Sequence, residues 1–171
     1  HVDSGTTVAF TSEGVNPAPY DVRAAIGDGS HLSYPQAPPN SFILDLGQER
    51  QIRAIEIDRR YANRGVKHFR VNAGMAQDSL EQVVEVTDFG DTKYWYTILD
   101  EPVSARFVEF ESLGLEDLEW TVVHRFSLYG SSRIPRLMEQ WGDRYAWLAP
   151  RMLELVERAA RVGAVVDIDD D

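Results

Sequence analysis

The feature that most constrains the fold of this chain is a succession of short runs in which apolar and polar residues alternate. A period of two places every second side chain on the same face of a β-strand. The runs are Phe42–Leu46, Ile52–Ile57, His68–Asn72, Val83–Val86, Tyr94–Leu99, Arg106–Phe110 and Phe126–Tyr129, and an earlier one surrounds Val8–Phe10. Turn residues separate these runs, with no helical pattern between them. Many short strands in this arrangement predict an all-β protein, a sandwich or jelly roll.

Composition limits the class of protein further. The chain has 171 residues, of which 43% are hydrophobic, which is enough for one substantial core and favours a single main domain. A formal net charge of −11 opposes binding to nucleic acid or anionic lipid, so neither is an expected partner. The absence of cysteine excludes disulfides and thiolate metal sites. No apolar run approaches the roughly 20 residues of a membrane span, and no membrane insertion is predicted.

After Gly130 the pattern changes from strand to helix. Pro135 suits a first helical turn, whereas Pro150 requires a kink or a boundary between two helices. We therefore divide the chain into a jelly-roll domain at 1–130 and an amphipathic helical tail with an acidic end at 131–171. Apolar residues recur in the tail at alternate spacings of four and three, which is the seam of an amphipathic helix: Ile134, Met138, Trp141, Tyr145, Leu148, Met152, Leu155, Ala159, Val162 and Val166.

Two arrangements of this tail are open. Its seam packs against the β core of the same chain, or it joins copies of the chain into a homo-oligomer, a dimer or a trimer, through residues 134–166. A seam that carries Trp141, Tyr145 and Leu148 is too apolar to face water. Because the jelly-roll core does not need the tail, oligomerisation is the favoured expectation.

Six segments of the chain, taken in order, carry a family resemblance: Ala24–Ser30, Phe42–Gly47, Ile52–Ile57, Asn63–Val71, Pro102–Val108 and Phe126–Gly130. In this order and at this spacing they resemble the discoidin, or coagulation factor 5/8 type C, family. The resemblance covers roughly residues 20 to 130 and does not extend to the tail. It implies a galactose-binding-like jelly roll, the fold of many carbohydrate-binding modules and fucose lectins.

Within such a sandwich, the aspartate in the apolar stretch Ser41–Gly47 has a structural interpretation. Asp45 stands at the end of the strand, and Gly47 supplies the permissive backbone of a sharp turn. A short carboxylate there can accept from nearby donors. Arg106, which opens a later strand, is the predicted partner of Asp45, and neither residue is expected to take part in chemistry.

Members of this family bind ligands with loops at one end of the jelly roll, which the resemblance assigns here to Gly29–Tyr34, Arg59–Arg64 and Leu115–Trp120. A sugar offers vicinal hydroxyls and a weakly apolar ring face, which planar donors and an aromatic ring recognise. The alternative is that the arginines only balance an acidic surface and that Trp120 belongs to the core. The predicted ligand-binding residues are His31, Tyr34, Arg60, Tyr61, Asn63, Arg64 and Trp120.

The chain departs from the family pattern at two positions. Tyr34 stands where many members have tryptophan, and Arg125 stands where many have a glutamate that helps to hold calcium. An arginine opposes a cation, which argues against calcium, and no oxygen cluster around Asp28 restores such a site. No cofactor is therefore predicted, and the fucose specificity of the lectins is not carried over.

The sequence lacks the motifs of hydrolase nucleophiles, phosphate-binding loops and zinc proteases, and its four histidines show no metal-ligand spacing, so no enzymatic activity is expected. The predicted function is a non-catalytic carbohydrate-binding or adhesion module for a surface glycan, multimerised by its tail. The alternative is a structural or assembly component of a virion or cell-surface complex, in which the jelly roll makes protein–protein contacts. Both functions imply an extracellular, cell-surface or virion location.

Overall fold

The computed structural model describes residues 6–15, 21–26, 31–61, 65–116 and 120–131. The predicted all-β sandwich is confirmed, and each predicted run lies within a strand. Beyond Ser131 the predicted helical tail lies outside the described residues. The elements are β1 (Thr7–Thr11), α1 (Val22–Ile26), β2 (Leu32–Tyr34), β3 (Asn40–Asp58), β4 (Gly65–Gly74), β5 (Glu81–Val86), β6 (Tyr94–Glu116), β7 (Thr121–Val123) and β8 (Arg125–Tyr129).

Strands β3 and β6 are much longer than the runs that predicted them. They pair antiparallel from end to end, and their register shifts between Asp45 and Arg50. The first half of β3 and the second half of β6 belong to a five-stranded layer with the order β1-β3-β6-β4-β5. The second half of β3 pairs with β8 on one side and with the first half of β6 on the other, which makes a three-stranded layer.

The two layers enclose one apolar core. Phe42 of the five-stranded layer meets Phe126 of the three-stranded layer edge-on, with ring centroids 5.7 Å apart. Phe110 stacks on Phe42 at 5.4 Å and on Phe69 at 5.7 Å. All four rings are buried. Because burying one such side chain contributes roughly 1.5–3 kcal/mol, this cluster is a principal contact between the layers.

The stretch that contains Asp45 was predicted to end in a sharp turn at Gly47, but β3 continues through this glycine, and only its register with β6 shifts there, between Asp45 and Arg50. Gly47 has a φ of 78°, a conformation that residues with a side chain rarely adopt. Asp45 Oδ1 accepts hydrogen bonds from the Gly47 N–H at 2.8 Å and from Arg106 Nε at 2.9 Å, and Oδ2 accepts from Arg106 Nη2 at 2.8 Å. The predicted pairing is confirmed. The hydrogen bond from Arg106 also holds the pKa of the Asp45 carboxyl below its usual value.

Two parts of the fold were not predicted from the sequence, and one of them includes β2, which lies in the predicted loop Gly29–Tyr34. Helix α1 packs Val22 into the core. Strands β2 and β7 form a separate antiparallel pair, with Leu32 opposite Val123 and Tyr34 opposite Thr121. Each has three residues, which is too short for a period-two pattern to be recognised. Within the described ranges, no helix is long and apolar enough to cross a membrane.

A buried arginine joins the segments at the end of the sandwich where β3 leads into β4. The side chain of Arg59 is 0% exposed, and its guanidinium donates hydrogen bonds to the carbonyl oxygens of Val66, at 3.2 Å, and of Gly90. It lies over the ring of Phe89, 4.4 Å from the centroid. The Arg59 N–H donates to the Lys93 carbonyl at 3.1 Å. Arg59 therefore fixes the segment before β6 against the start of β4.

The contact between Asp45 and Arg106 predicts a measurable titration. In Arg106→Gln, the pKa of Asp45 is expected to rise toward the ordinary aspartate value, as seen by carbon-13 NMR of the carboxyls. Because the folded-state pKa is the lower one, the pair stabilises the fold above the unfolded-chain pKa. That stabilisation is lost as the pH falls through the folded-state pKa. Arg70→Gln is the control, and an unchanged Asp45 pKa in Arg106→Gln would contradict the assignment.

Replacing Arg59 tests its structural role. Arg59→Met keeps an apolar stem but leaves the carbonyl oxygens of Val66 and Gly90 without these donors. A buried polar group without a partner costs about 1–3 kcal/mol, so the free energy of unfolding in urea is expected to fall by roughly 2–4 kcal/mol. Arg53→Met is the matched control, because Arg53 is half-buried and donates to the Asp100 carbonyl at 2.7 Å. Equal losses in the two variants would refute the role of Arg59.

Candidate ligand-binding site

One end of the sandwich gathers the segments that the sequence predicted as ligand-binding loops. Asp58, the last residue of β3, pairs with Tyr94, the first residue of β6. Gly65, the first residue of β4, pairs with Glu116, the last residue of β6. Three connections therefore leave the sheets at one end, which we call the loop end: 59–64, 87–93 and 117–120.

Arg60 has an unusual backbone conformation at the loop end. Its φ of 72° is positive, which no other non-glycine residue in the described part of the chain shows. The Arg60 N–H donates to Asp58 Oδ1 at 2.8 Å, so the aspartate side chain closes a tight turn around it. Such conformations cost of order 1–3 kcal/mol and cluster at functional sites. The strained turn marks Arg60 as a candidate functional residue.

The Arg60 guanidinium contacts two of the other predicted ligand-binding residues. Its Nη1 atom hydrogen-bonds Nδ1 of His31 and lies 3.5 Å from Nε2 of the same ring. Its central carbon lies 5.4 Å from the centroid of the Tyr61 ring, within the range of a cation–π contact. Arg60 and Tyr61 are exposed, and His31 is half-buried. The structure thus brings three predicted residues into one accessible cluster, which we call the Arg60 cluster.

Asp58, which accepts the hydrogen bond from the Arg60 N–H, is itself held by residues of distant segments. It is 1% exposed, and its Oδ2 atom lies 3.8 Å from Lys93 Nζ and 4.0 Å from His124 Nε2. The His124 N–H also donates to the Asp58 carbonyl at 2.7 Å. These three residues were not predicted as part of the site. The sequence signal was only an acidic residue at the end of a strand, since its partners lie in distant segments.

Two of the predicted residues lie outside the Arg60 cluster. Tyr34 belongs to the core, with 1% exposure and its hydroxyl donated to the Ser41 carbonyl at 2.7 Å, and burial raises its pKa to about 12. A ligand at the surface does not reach Tyr34, and we leave it out of the site. Trp120 is 47% exposed, so it is not a core residue. Trp120 precedes Thr121, whereas His31 precedes Leu32 at the opposite end of the β2–β7 pair, so three strand residues, roughly 10 Å, separate them.

Other residues from the sequence analysis lie outside the described ranges. They include Asn63 and Arg64, the two remaining predicted ligand contacts, and Asp28, the residue considered for calcium. Among the described residues, no group of three or more His, Asp and Glu side chains is arranged to hold a metal ion. Among its described residues, the loop end offers the chemistry of the Arg60 cluster: planar hydrogen-bond donors beside an exposed aromatic ring.

A groove of about 760 Å³ lies at the opposite end of the sandwich. Gly74, at the far end of β4, lines it, roughly 30 Å along that strand from Gly65. Its polar lining includes the carboxylates of Glu81, Asp100 and Glu101. None of the predicted ligand-binding residues that the structure describes lines this groove, and the groove is distinct from the loop end.

Solved structures with the same fold were found by comparison. The chain is similar to the module CBM32-1 from a family 31 glycoside hydrolase of Clostridium perfringens, with a TM-score of 0.65 and 14% identity over 75% of this chain and 96% of that chain. It is similar to the family 32 carbohydrate-binding module of Streptococcus pneumoniae EndoD, with a TM-score of 0.62 and 14% identity over 73% and 95%. It is also similar to the family 32 module of C. perfringens NanJ in complex with galactose, with a TM-score of 0.53 and 15% identity over 72% and 90%. At these identities the similarity establishes the fold.

A family match extends this result to the sequence. A search of curated proteins found no match to the chain. The sequence model of the F5/8 type C domain, however, matches residues 7–129, from the first residue of β1 to the last residue of β8. The match includes the Arg60 cluster and stops before the tail. The family resemblance seen in the sequence is confirmed, and the chain belongs to the F5/8 type C domain family.

Proposed function

We propose that this chain is a non-catalytic glycan-binding module, located outside the cell or at a cell surface, and that its loop end holds the sugar. The observation that carries the proposal is the Arg60 cluster, in which a strained turn presents a guanidinium between His31 and Tyr61. A guanidinium and an imidazole supply hydrogen bonds to neighbouring sugar hydroxyls. The exposed Tyr61 ring supplies a face against which a sugar ring stacks.

The rigidity of the cluster favours binding of a small ligand. The Asp58 carboxylate fixes the Arg60 turn, and buried Arg59 fixes the neighbouring segment. Because these groups are already ordered, binding costs less side-chain entropy than it would for free surface residues. Support also comes from similar structures, whose family 32 modules were solved with galactose, with GalNAc-β-1,3-galactose and with 4,5-unsaturated mannuronic acid.

The remaining predicted residues have places in this proposal. Asn63 and Arg64 belong to the same connection as Arg60 and Tyr61 and add further donors. Trp120 is exposed at a distance from His31, where it contacts further sugar rings of a longer glycan. The prediction that residues 134–166 join copies of the module stays a prediction, since that segment lies outside the described residues. Joining copies raises avidity without new contacts.

The proposal predicts that sugar binding depends on the Arg60 cluster. In Arg60→Ala and Tyr61→Ala, the dissociation constant for a galactose-terminated glycan is expected to rise at least about tenfold, the effect of losing a contact worth more than 1 kcal/mol. A glycan array that carries terminal galactose, N-acetylgalactosamine and uronic acids identifies the tightest glycan. Isothermal titration calorimetry with that glycan measures the change, and His31→Ala is expected to weaken binding as well.

Two matched variants control for nonspecific effects. Arg53→Ala removes a half-buried arginine that donates to a backbone carbonyl, and Phe10→Ala removes an aromatic ring that is 45% exposed. Both are expected to bind as the unchanged protein does. The proposal fails if the unchanged protein binds no glycan on the array, or if the Arg60 and Tyr61 variants bind as tightly as these controls.

A further inference from the structure

The middle of the outer face of the three-stranded layer is buried. Ile55 and Ile57 of β3 point into the core, so the alternate residues Ala54 and Glu56 project from the opposite face. Ala54 is 0% exposed, Glu56 is 2% exposed, and Ser127, which pairs with Glu56 from β8, is 6% exposed. An antiparallel layer with one face in the core ordinarily presents its other face to water. This face therefore has a cover.

The outer face of the five-stranded layer provides a comparison, because it is exposed to solvent. Arg70 and Glu111 pair across β4 and β6 and form an ion pair at 3.5 Å, and they keep 34% and 24% of their side-chain surface exposed. Neighbouring strands in a sheet therefore leave outward polar side chains partly exposed to solvent. The near-complete burial of Glu56 requires another segment above it.

Neighbours within the layer do not provide this cover. The apolar side chains that pack on Ala54 in the described part of the chain are Ile98 and Tyr129, its partners on the two adjacent strands. The Tyr129 hydroxyl donates to Glu56 Oε2 at 2.6 Å. These groups lie beside Ala54 and Glu56 in the same layer. They make a small apolar patch with a buried carboxylate at its edge.

We propose that residues 134–149 of the same chain lie across this face. Strand β8 ends at Tyr129, which itself belongs to the face, and the tail starts directly after it. The first seam residue, Ile134, follows Tyr129 so closely that the tail is held near this face at a high effective concentration. A second copy of the chain has no such tether. The inference does not depend on the proposed function.

Length and chemistry both suit this occupant. As the helix that their spacing predicts, residues 134–149 are about 24 Å long, and the three strands span about 10 Å between the outer two. The seam residues Met138 and Trp141 match the apolar patch around Ala54. Arg133 and Arg136 are the first cations of the tail, and a buried carboxylate such as Glu56 is stabilised by a cation. This arrangement replaces, for residues 134–149, the prediction that they join copies of the chain, and it leaves residues 150–166 for that role.

A spin label tests the inference on the full chain. The chain has no cysteine, so Tyr96→Cys creates one labelling site; Tyr96 is 42% exposed and pairs with Glu56 at the edge of this face. In nitrogen-15-labelled protein that carries a nitroxide at this position, the amide signals of residues 138–148 are expected to lose most of their intensity. The same label at Glu111→Cys, on the five-stranded layer, is the control and is expected to leave those signals unchanged.

A mixed sample distinguishes the tail of the same chain from the tail of a second copy as the segment that covers the face. Spin-labelled protein without nitrogen-15 is added to nitrogen-15 protein without a label, and no loss of tail signals is expected. Loss of the tail signals in this mixed sample as well would show that a second copy covers the face and would overturn the inference. Undiminished tail signals in both samples would overturn it too, as would equal losses from the two label positions.

Discussion

The long antiparallel pairing of β3 with β6 is the constraint on which the rest of the structure depends. Both strands pass from one layer of the sandwich to the other, so their shared bend sets how the layers face each other. The positive φ of Gly47 and the contact between Asp45 and Arg106 fix that bend. A slip of one residue would reverse the faces of both strands and expel the core. The same pairing ends at Asp58, and this defines where the loop end lies.

Buried polar residues hold the connections at the loop end in place. Arg59 and Asp58 are neighbours in sequence and are both buried, and each contacts the connection before β6, Arg59 through the Gly90 carbonyl and Asp58 through Lys93. Burying such groups is costly unless their hydrogen bonds are made, so the connections around them are held in one arrangement. Arg60 then stands in a strained conformation on a fixed base. The donors of the Arg60 cluster are therefore arranged before any ligand binds.

Sequence patterns predicted the elements that have strong periodicity and missed those that lack it. The alternating runs identified the strands of both layers, whereas β2 and β7 are too short to show a period. In the loops, residue chemistry and family resemblance pointed to His31, Arg60 and Tyr61. Tyr34 has the same side chain as Tyr61 and was predicted as a ligand contact for the same reason. It lies in the short strand β2, however, and its burial depends on tertiary packing. The support from Asp58 was not predictable, because its contacts join segments that are distant in sequence.

The central claim is that ligand binding takes place at the loop end and not in the groove at the opposite end. The most direct measurement is an NMR titration of the nitrogen-15-labelled chain with galactose, in which the amide shifts of both ends are followed together. We expect the largest changes at His31, Arg60 and Tyr61, with Glu81 and Asp100 in the groove unchanged. Shifts confined to the groove residues would contradict the claim.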